Sequence, residues 1–195
     1  GLNAIQSFDA SWSIGANVYT TSFNSLSIPS LGTYNFSHPD LLTFNTSGLQ
    51  ILEVAISNVN GLTNDFNPGN DSLSMQIEAV DYATLGNRDY IYYHASSALP
   101  NCPLVLVCHG YGGNAQDIMD YSEFNSLAEE FGFAVCYLQG TLDGSNTTFF
   151  NVGYDFQNNE TVDDVAFVEN LVDSLQAMYS LSGQDVFCTG MSNGG

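Results

Sequence analysis

Basic side chains are almost absent from this chain. Arg88 is its only lysine or arginine, against 21 aspartates and glutamates, and the 195 residues carry a formal net charge of −20. Such a sequence cannot neutralise a row of phosphates, which argues against nucleic acid and anionic membrane surfaces as partners. Charged residues make up only 11% of the chain, so the surface must be covered largely by Asn, Ser, Thr and Tyr, with the net charge serving solubility. No continuous apolar run is long enough to span a bilayer. Cys102, Cys108, Cys136 and Cys188 include no Cys-x-x-Cys pair, which argues against a zinc or thioredoxin-type site. The last three fall in apolar runs that read as buried strands, where cysteine behaves as a small hydrophobe. A disulfide through Cys102 stays open as an alternative. The sequence starts at Gly1 and stops inside a motif, so both ends are expected to be cut, and a signal peptide would be hidden by such a cut.

Two grammars follow one another. Residues 1–81 show short alternating segments, Ala16–Tyr19, Ser25–Ile28, Leu49–Ile56 and Leu73–Ile77, separated by Pro29, Gly32, Gly48, Gly61 and Pro68-Gly69. Alternation with a period of two and regular turn signals predict a small all-β sandwich with one wet face per sheet. No stretch there has helical periodicity. Asp65, Asn67, Asn70 and Asp71 carry oxygens of the kind calcium takes, but their spacing matches no EF-hand loop, and turn chemistry is the preferred reading. Asn-x-Ser/Thr sites stand at Asn35, Asn45, Asn70, Asn146 and Asn159. They matter only in a eukaryotic secretory pathway.

Residues 82–195 read as α/β. Arg88–His94 is a strand, and Leu104–Cys108 is a continuous apolar run typical of a strand buried on both faces of a parallel sheet. A helix through Phe124, Leu127, Ala128 and Phe131 is stopped by Gly132, and the strand Phe133–Tyr137 follows. A polar loop runs from Gln139 to about Glu160. The next helix is expected to begin at Thr161 as its cap, with Asp163 and Asp164 in the positive first turn. Val165, Val168, Val172, Leu175 and Tyr179 then give one apolar face. Gly183 turns the chain into a last strand. The order strand, helix, strand, helix, strand predicts a parallel α/β sheet.

Two motifs carry the chemistry. Gly190-Met191-Ser192-Asn193-Gly194 follows the last apolar strand, as a nucleophile elbow requires. Gly190 and Gly194 leave room for a sharp turn that holds Ser192 in a strained conformation. His109-Gly110-Tyr111-Gly112-Gly113 follows the strand Leu104–Cys108. Acyl transfer builds charge on a carbonyl oxygen, and fixed backbone N–H groups lower that barrier. In elbow hydrolases one donor follows the nucleophile and another lies in the loop after the third strand. These become the N–H groups of Asn193 and Tyr111, with His109 and Gly110 as support for the loop. The triad order for this elbow is serine, acid, histidine, and His38, His94 and His109 all precede Ser192, so none is expected to be the base.

Several stretches carry a resemblance. Arg88–Tyr93, Leu106–Ala115, Glu130–Phe133, Val162–Val168 and Thr189–Gly195 resemble the polyhydroxybutyrate depolymerase and feruloyl/acetylxylan esterase group of secreted α/β-hydrolases. Leu138 departs from the group, which usually has proline there. Asn151–Tyr154 matches a loop of the group near the active-site mouth, where it touches substrate or positions the Asp163-Asp164 cap. Ile56–Gly61 and Asp65–Ser74 resemble the cell-adhesion-related, immunoglobulin-like module of bacterial secreted proteins. The resemblance implies an extracellular serine ester hydrolase acting on polyester or polysaccharide-linked esters through Ser192, with no metal or organic cofactor. It also implies that the triad acid and histidine lie beyond Gly195, so that these residues alone are expected to be nearly inactive. An unpaired sheet edge after the last strand would make them aggregate or order only partly, the elbow included. Two rival readings are a binding or adhesion protein with an inert hydrolase part, and an acyl-transferring or peptidase relative using the same elbow.

Overall fold

The computed structural model describes residues 4–62, 68–155 and 160–195. Asp65, Asn67 and Asn159 lie outside the described residues. The chain forms two compact units, residues 1–44 with 50–78, and residues 45–49 with 79–195.

The first unit is built on strands β1 (Phe8–Ile14), β2 (Asn17–Phe23), β3 (Gly48–Ser57) and β4 (Ser72–Ala79), in the order β2-β1-β3-β4. β1 runs antiparallel to both of its neighbours. It alternates, with Phe8, Ala10 and Trp12 buried between more accessible Asp9, Ser11 and Ser13. Phe8 stacks on Phe23 at 5.1 Å, and Phe36 tilts against both, at 5.3 and 4.7 Å. Trp12 stacks on Tyr19 at 4.2 Å and donates its indole N–H to His38 Nδ1 at 3.3 Å. Among the described residues this unit holds one sheet. The irregular segment through Phe36 and His38 lies over its apolar face, where a sandwich would place a second sheet. Ser25–Ile28, expected as a strand, contributes only a bridge from Ile28 to Ile5.

The second unit holds a five-stranded sheet in the order β11-β7-β8-β6-β5, where β5 is Asp81–Leu85, β6 Arg88–His94, β7 Leu104–Cys108, β8 Ala134–Leu138 and β11 Val186–Gly190. β7 is parallel to β8 and β11, while β6 is antiparallel to β8 and β5. The sheet is therefore mixed, not wholly parallel. A short turn from β5 to β6 makes an antiparallel hairpin, and a short link of that kind cannot support a parallel crossover. Helices α1 (Ala115–Ser122) and α2 (Phe124–Phe131) belong to the crossover from β7 to β8, and α3 (Asp164–Tyr179) to that from β8 to β11. Alternate strand residues serve alternate faces. Leu104, Leu106, Cys136 and Leu138 join Leu171 and Leu175 of α3 in one core. Val107, Val135 and Tyr137 join Ile118 of α1 and Ala128 of α2 in another.

Helix boundaries have local causes. Asn114 caps α1 by accepting the Asp117 N–H at 2.8 Å. Glu123, at φ 54, breaks the path between α1 and α2. Gly132, at φ 75, ends α2 with its N–H on the Ala128 carbonyl at 2.7 Å. α3 is capped by Asp163, which accepts the Ala166 N–H at 2.9 Å, so the helix starts later than a Thr161 cap would have it. A carboxylate at that position is a charge-assisted acceptor and favours the N-terminal dipole, which a threonine hydroxyl does less well. Residues 45–49 dock on this unit. Ser47 Oγ accepts the His94 N–H at 3.1 Å, and the Leu49 N–H donates to Glu129 Oε1 at 3.2 Å. Glu129 also accepts from Tyr93 Oη, Ser96 N and Ser96 Oγ at 2.7, 2.8 and 2.6 Å. Burial raises its carboxyl, but these bonds from Ser96, Tyr93 and Leu49 outweigh that and leave it below the ordinary value.

Candidate active site

β7 and β11 end side by side, with Cys108 paired to Gly190, and the two motif loops leave from that point. The Met191 N–H donates to the Cys108 carbonyl at 3.1 Å, and the Gly194 N–H returns to the Met191 carbonyl at 2.9 Å. These bonds close a tight turn in which Ser192 is exposed and sits at φ 53. That left-handed conformation is uncommon for any residue but glycine and is found at strained functional turns. A Cβ on Gly190 would lie 2.0 Å from the Gly194 carbonyl oxygen, and one on Gly194 would lie 2.4 Å from that of His109. Neither position admits a side chain. The elbow is a turn that the Met191 bond fastens to β7.

The loop of residues 109–113 lies against the elbow. A Cβ built on Gly110 would lie 3.5 Å from Ser192 Cβ and 3.3 Å from the Met191 carbonyl oxygen. His109 is buried, donates from Nδ1 to the Gly110 carbonyl at 2.7 Å, and accepts the Gly140 N–H on Nε2 at 2.9 Å. Burial pushes its pKa below the usual histidine range, and the bond to Gly110 only partly opposes this. With both ring nitrogens committed to backbone, His109 shapes the loop and has no nitrogen to offer a serine. His94, at the end of β6, is hydrogen-bonded to Tyr92 Oη at 2.8 Å, and His38 lies in the first unit.

Tyr111 is half-exposed and donates its hydroxyl to Asp143 Oδ2, which raises the phenol and lowers the carboxyl. Among the described residues the backbone N–H groups of Tyr111 and Asn193 have no hydrogen-bond partner. The Asn193 side chain is buried and forms a two-way bond with Phe150, accepting its N–H at 2.8 Å and donating to its carbonyl at 2.9 Å. Phe150 packs on the His109 ring at 4.8 Å. A hollow of about 260 Å³ opens beside the elbow, lined by Phe150, Val152, Val165, Val168, Asn193 and Gly194.

Sequence reasoning missed the group beneath this site. Arg88, buried, forms an ion pair with Asp164 and donates from Nε and Nη2 to the Gln139 carbonyl at 3.3 and 3.0 Å. Its guanidinium lies 4.0 Å from the centre of the Phe167 ring. The other Asp164 oxygen accepts the Asn151 N–H, and Asn151 Nδ2 donates to the Val162 carbonyl at 2.9 Å. The segment starting at Asn151 is thus tied to the start of α3, while Val152 and Tyr154 are exposed. The available signal was compositional: a lone arginine in a strongly acidic chain is a candidate for a buried ion pair. The cysteines are all free thiols, and Cys188, expected to be buried, is exposed because β11 is an edge strand. A hydrogen bond between the two lowers the Cys188 thiol and raises that of Cys108. No cluster of three or more metal-ligating side chains occurs among the described residues.

A mixed sheet covered by helices on both faces, with Ser192 in a left-handed turn at the end of a parallel strand, defines a mixed α/β protein. The particular family follows from comparison: the chain belongs to the Esterase PHB depolymerase family, whose model matches residues 88–195. It is 32% identical over 106 residues to NocK of Nocardia uniformis subsp. tsuyamanensis, named as a candidate esterase, across 52% of this chain and 30% of that protein. It is 29% identical over 108 residues to the bifunctional acetylxylan esterase/xylanase XynS20E of Neocallimastix patriciarum, across 55% of this chain and 15% of that protein. The chain therefore spans less than a third of either relative. An acetyl xylan esterase from Aspergillus awamori overlays 60% of this chain and 43% of its own, with a TM-score of 0.48 and 19% identity.

Proposed function

We propose that this chain carries the nucleophile and oxyanion hole of a serine ester hydrolase. The observation that carries the reading is Ser192, exposed at φ 53 in a turn closed by two glycines and flanked by the Gly110 loop. In this reaction Ser192 Oγ attacks the ester carbonyl and loses its proton to a base. The alcohol then departs with a proton, and water releases the acid from the acyl-enzyme. The N–H groups of Tyr111 and Asn193 meet the oxyanion of each tetrahedral intermediate. His109 cannot serve as the base, for the reasons of geometry above, so base and acid are assigned to sequence following Gly195. On this reading residues 1–195 alone hydrolyse esters only at the residual rate an oxyanion hole provides.

The substrate class rests on resemblance: polyesters, or acetyl and feruloyl esters on polysaccharide, in keeping with the acetylxylan esterase named among the relatives. An extracellular location and an immunoglobulin-like character for the first unit belong to the same proposal and rest on sequence resemblance alone.

The test uses the protein translated from the complete reading frame, assayed with p-nitrophenyl acetate and butyrate beside Ser192→Ala. The variant is expected to lose about 10⁴-fold or more in kcat, the scale on which a catalytic serine is lost. Equal rates for variant and native protein would overturn the assignment.

A further inference from the structure

The two oxyanion donors proposed above leave from neighbouring strands, Tyr111 after β7 and Asn193 after β11; the pairing of the strands fixes where the two loops start, and a second brace holds them further out. The candidate is the short hairpin of β9 (Thr141–Leu142) and β10 (Thr148–Phe149), which continues into Phe150. Its strands hold both loops. On the Tyr111 side, Thr148 accepts the Gly112 N–H on its carbonyl at 2.8 Å and donates its hydroxyl to the Gly113 carbonyl at 2.6 Å. Asp143, at the hairpin turn, uses Oδ1 to accept the N–H groups of Ser145 and Thr147 at 2.8 and 3.0 Å, and Oδ2 to receive the Tyr111 hydroxyl. Gly140, at the base, donates its N–H to His109. On the other side, Phe150 exchanges two hydrogen bonds with the Asn193 side chain.

We infer that this hairpin is the template that sets the spacing of the two oxyanion donors, with Thr148 and the Asn193 amide as its positioning residues. The inference rests on the ester-hydrolase reading and deepens it. The path from one donor loop to the other passes through consecutive residues 148–150. In extended form these span about 7 Å from first to last, a short ruler that adds a second tie to the one the paired strands already provide. The hydroxyl of Thr148 touches no reacting atom, so its contribution is to the position of the loop that presents the Tyr111 N–H. A donor displaced by a fraction of an ångström weakens binding of the oxyanion more than binding of the ground-state ester.

The experiment measures kcat and KM for p-nitrophenyl acetate on the complete protein, with affinity for a boronic acid that adds to the serine as a tetrahedral anion. Thr148→Val is expected to lower kcat about tenfold, a fraction of the loss on deleting an oxyanion donor outright. KM should stay within about twofold while boronate affinity falls in step with kcat. Thr148→Ser, which keeps the hydroxyl, should restore both. Asp143→Ala, at the exposed turn, should shift kcat in the same direction and decides the matter if Thr148→Val does not fold. Native kcat and boronate affinity in Thr148→Val, or in Asp143→Ala if it must stand in, would overturn the template while Ser192→Ala remained inactive. A fully active Ser192→Ala would instead remove the hydrolase reading and the template with it.

Discussion

Arg88 shows how much one side chain can carry. Its guanidinium satisfies Asp164 and the Gln139 carbonyl and covers the Phe167 ring, all within the interior. Removing it leaves a carboxylate buried without its counter-charge, a change that costs about 3–5 kcal/mol. Arg88→Ala should therefore lower the unfolding free energy by that amount, as read by denaturant titration, and Arg88→Lys should recover less than half, since an ammonium lacks the planar fork. Full recovery by lysine would show that charge alone matters there. At this scale the sequence was partly readable. Gly190 and Gly194 were legible because a sharp turn admits nothing larger, and the structure leaves no room for a Cβ at either. The Asn193 amide was not legible, since its partner Phe150 lies 43 residues away and the motif leaves that position open.

Among the elements, β7 and α3 were legible because their signals are local: an unbroken apolar run and a three-four spacing. β5 was missed because the sequence reading puts the boundary between the two regions at residues 81 and 82, inside the strand; its burial does alternate, with Tyr82 and Thr84 exposed between the less accessible Asp81, Ala83 and Leu85. α1 was missed because its eight residues bury only Ala115 and Ile118. The antiparallel placing of β6 depends on its pairing with β8 and β5, which no local pattern records. β11 is the element with most left open. It has β7 on one side only, and Phe187 is 58% exposed. An edge of that kind templates association between copies. Residues 1–195 on their own should therefore scatter light increasingly with concentration, and Phe187→Lys should suppress the increase by placing a charge on the edge. Unchanged scattering in that variant would locate the association elsewhere.

For the whole molecule, the burial of Arg88 has an electrostatic result. With 21 acidic residues and no other lysine or arginine, the fixed surface charges are carboxylates with no strong cation among them. Surface ion pairs with lysine or arginine cannot form, and repulsion among carboxylates opposes the compact state. Salt shortens the reach of that repulsion, from about 30 Å at 0.01 M to about 8 Å at 0.15 M. The melting temperature of residues 1–195 should rise over that range, as read by calorimetry at low protein concentration. A flat or falling response would mean that the carboxylates stand too far apart to repel.

The same arginine gives the fold a built-in reporter. Trypsin needs lysine or arginine, and the bond from Arg88 to Asp89 is the only one here that it can recognise. That bond starts β6, between β5 and β8 in the sheet, so a protease reaches it only when the sheet opens. The folded chain stands whole in the presence of the enzyme, and each opening is recorded as one cut into two pieces, residues 1–88 and 89–195. Digestion rate then follows the population of the open form wherever reclosing outpaces cleavage. A gel of two fragments thus becomes a measure of how often this sheet comes apart.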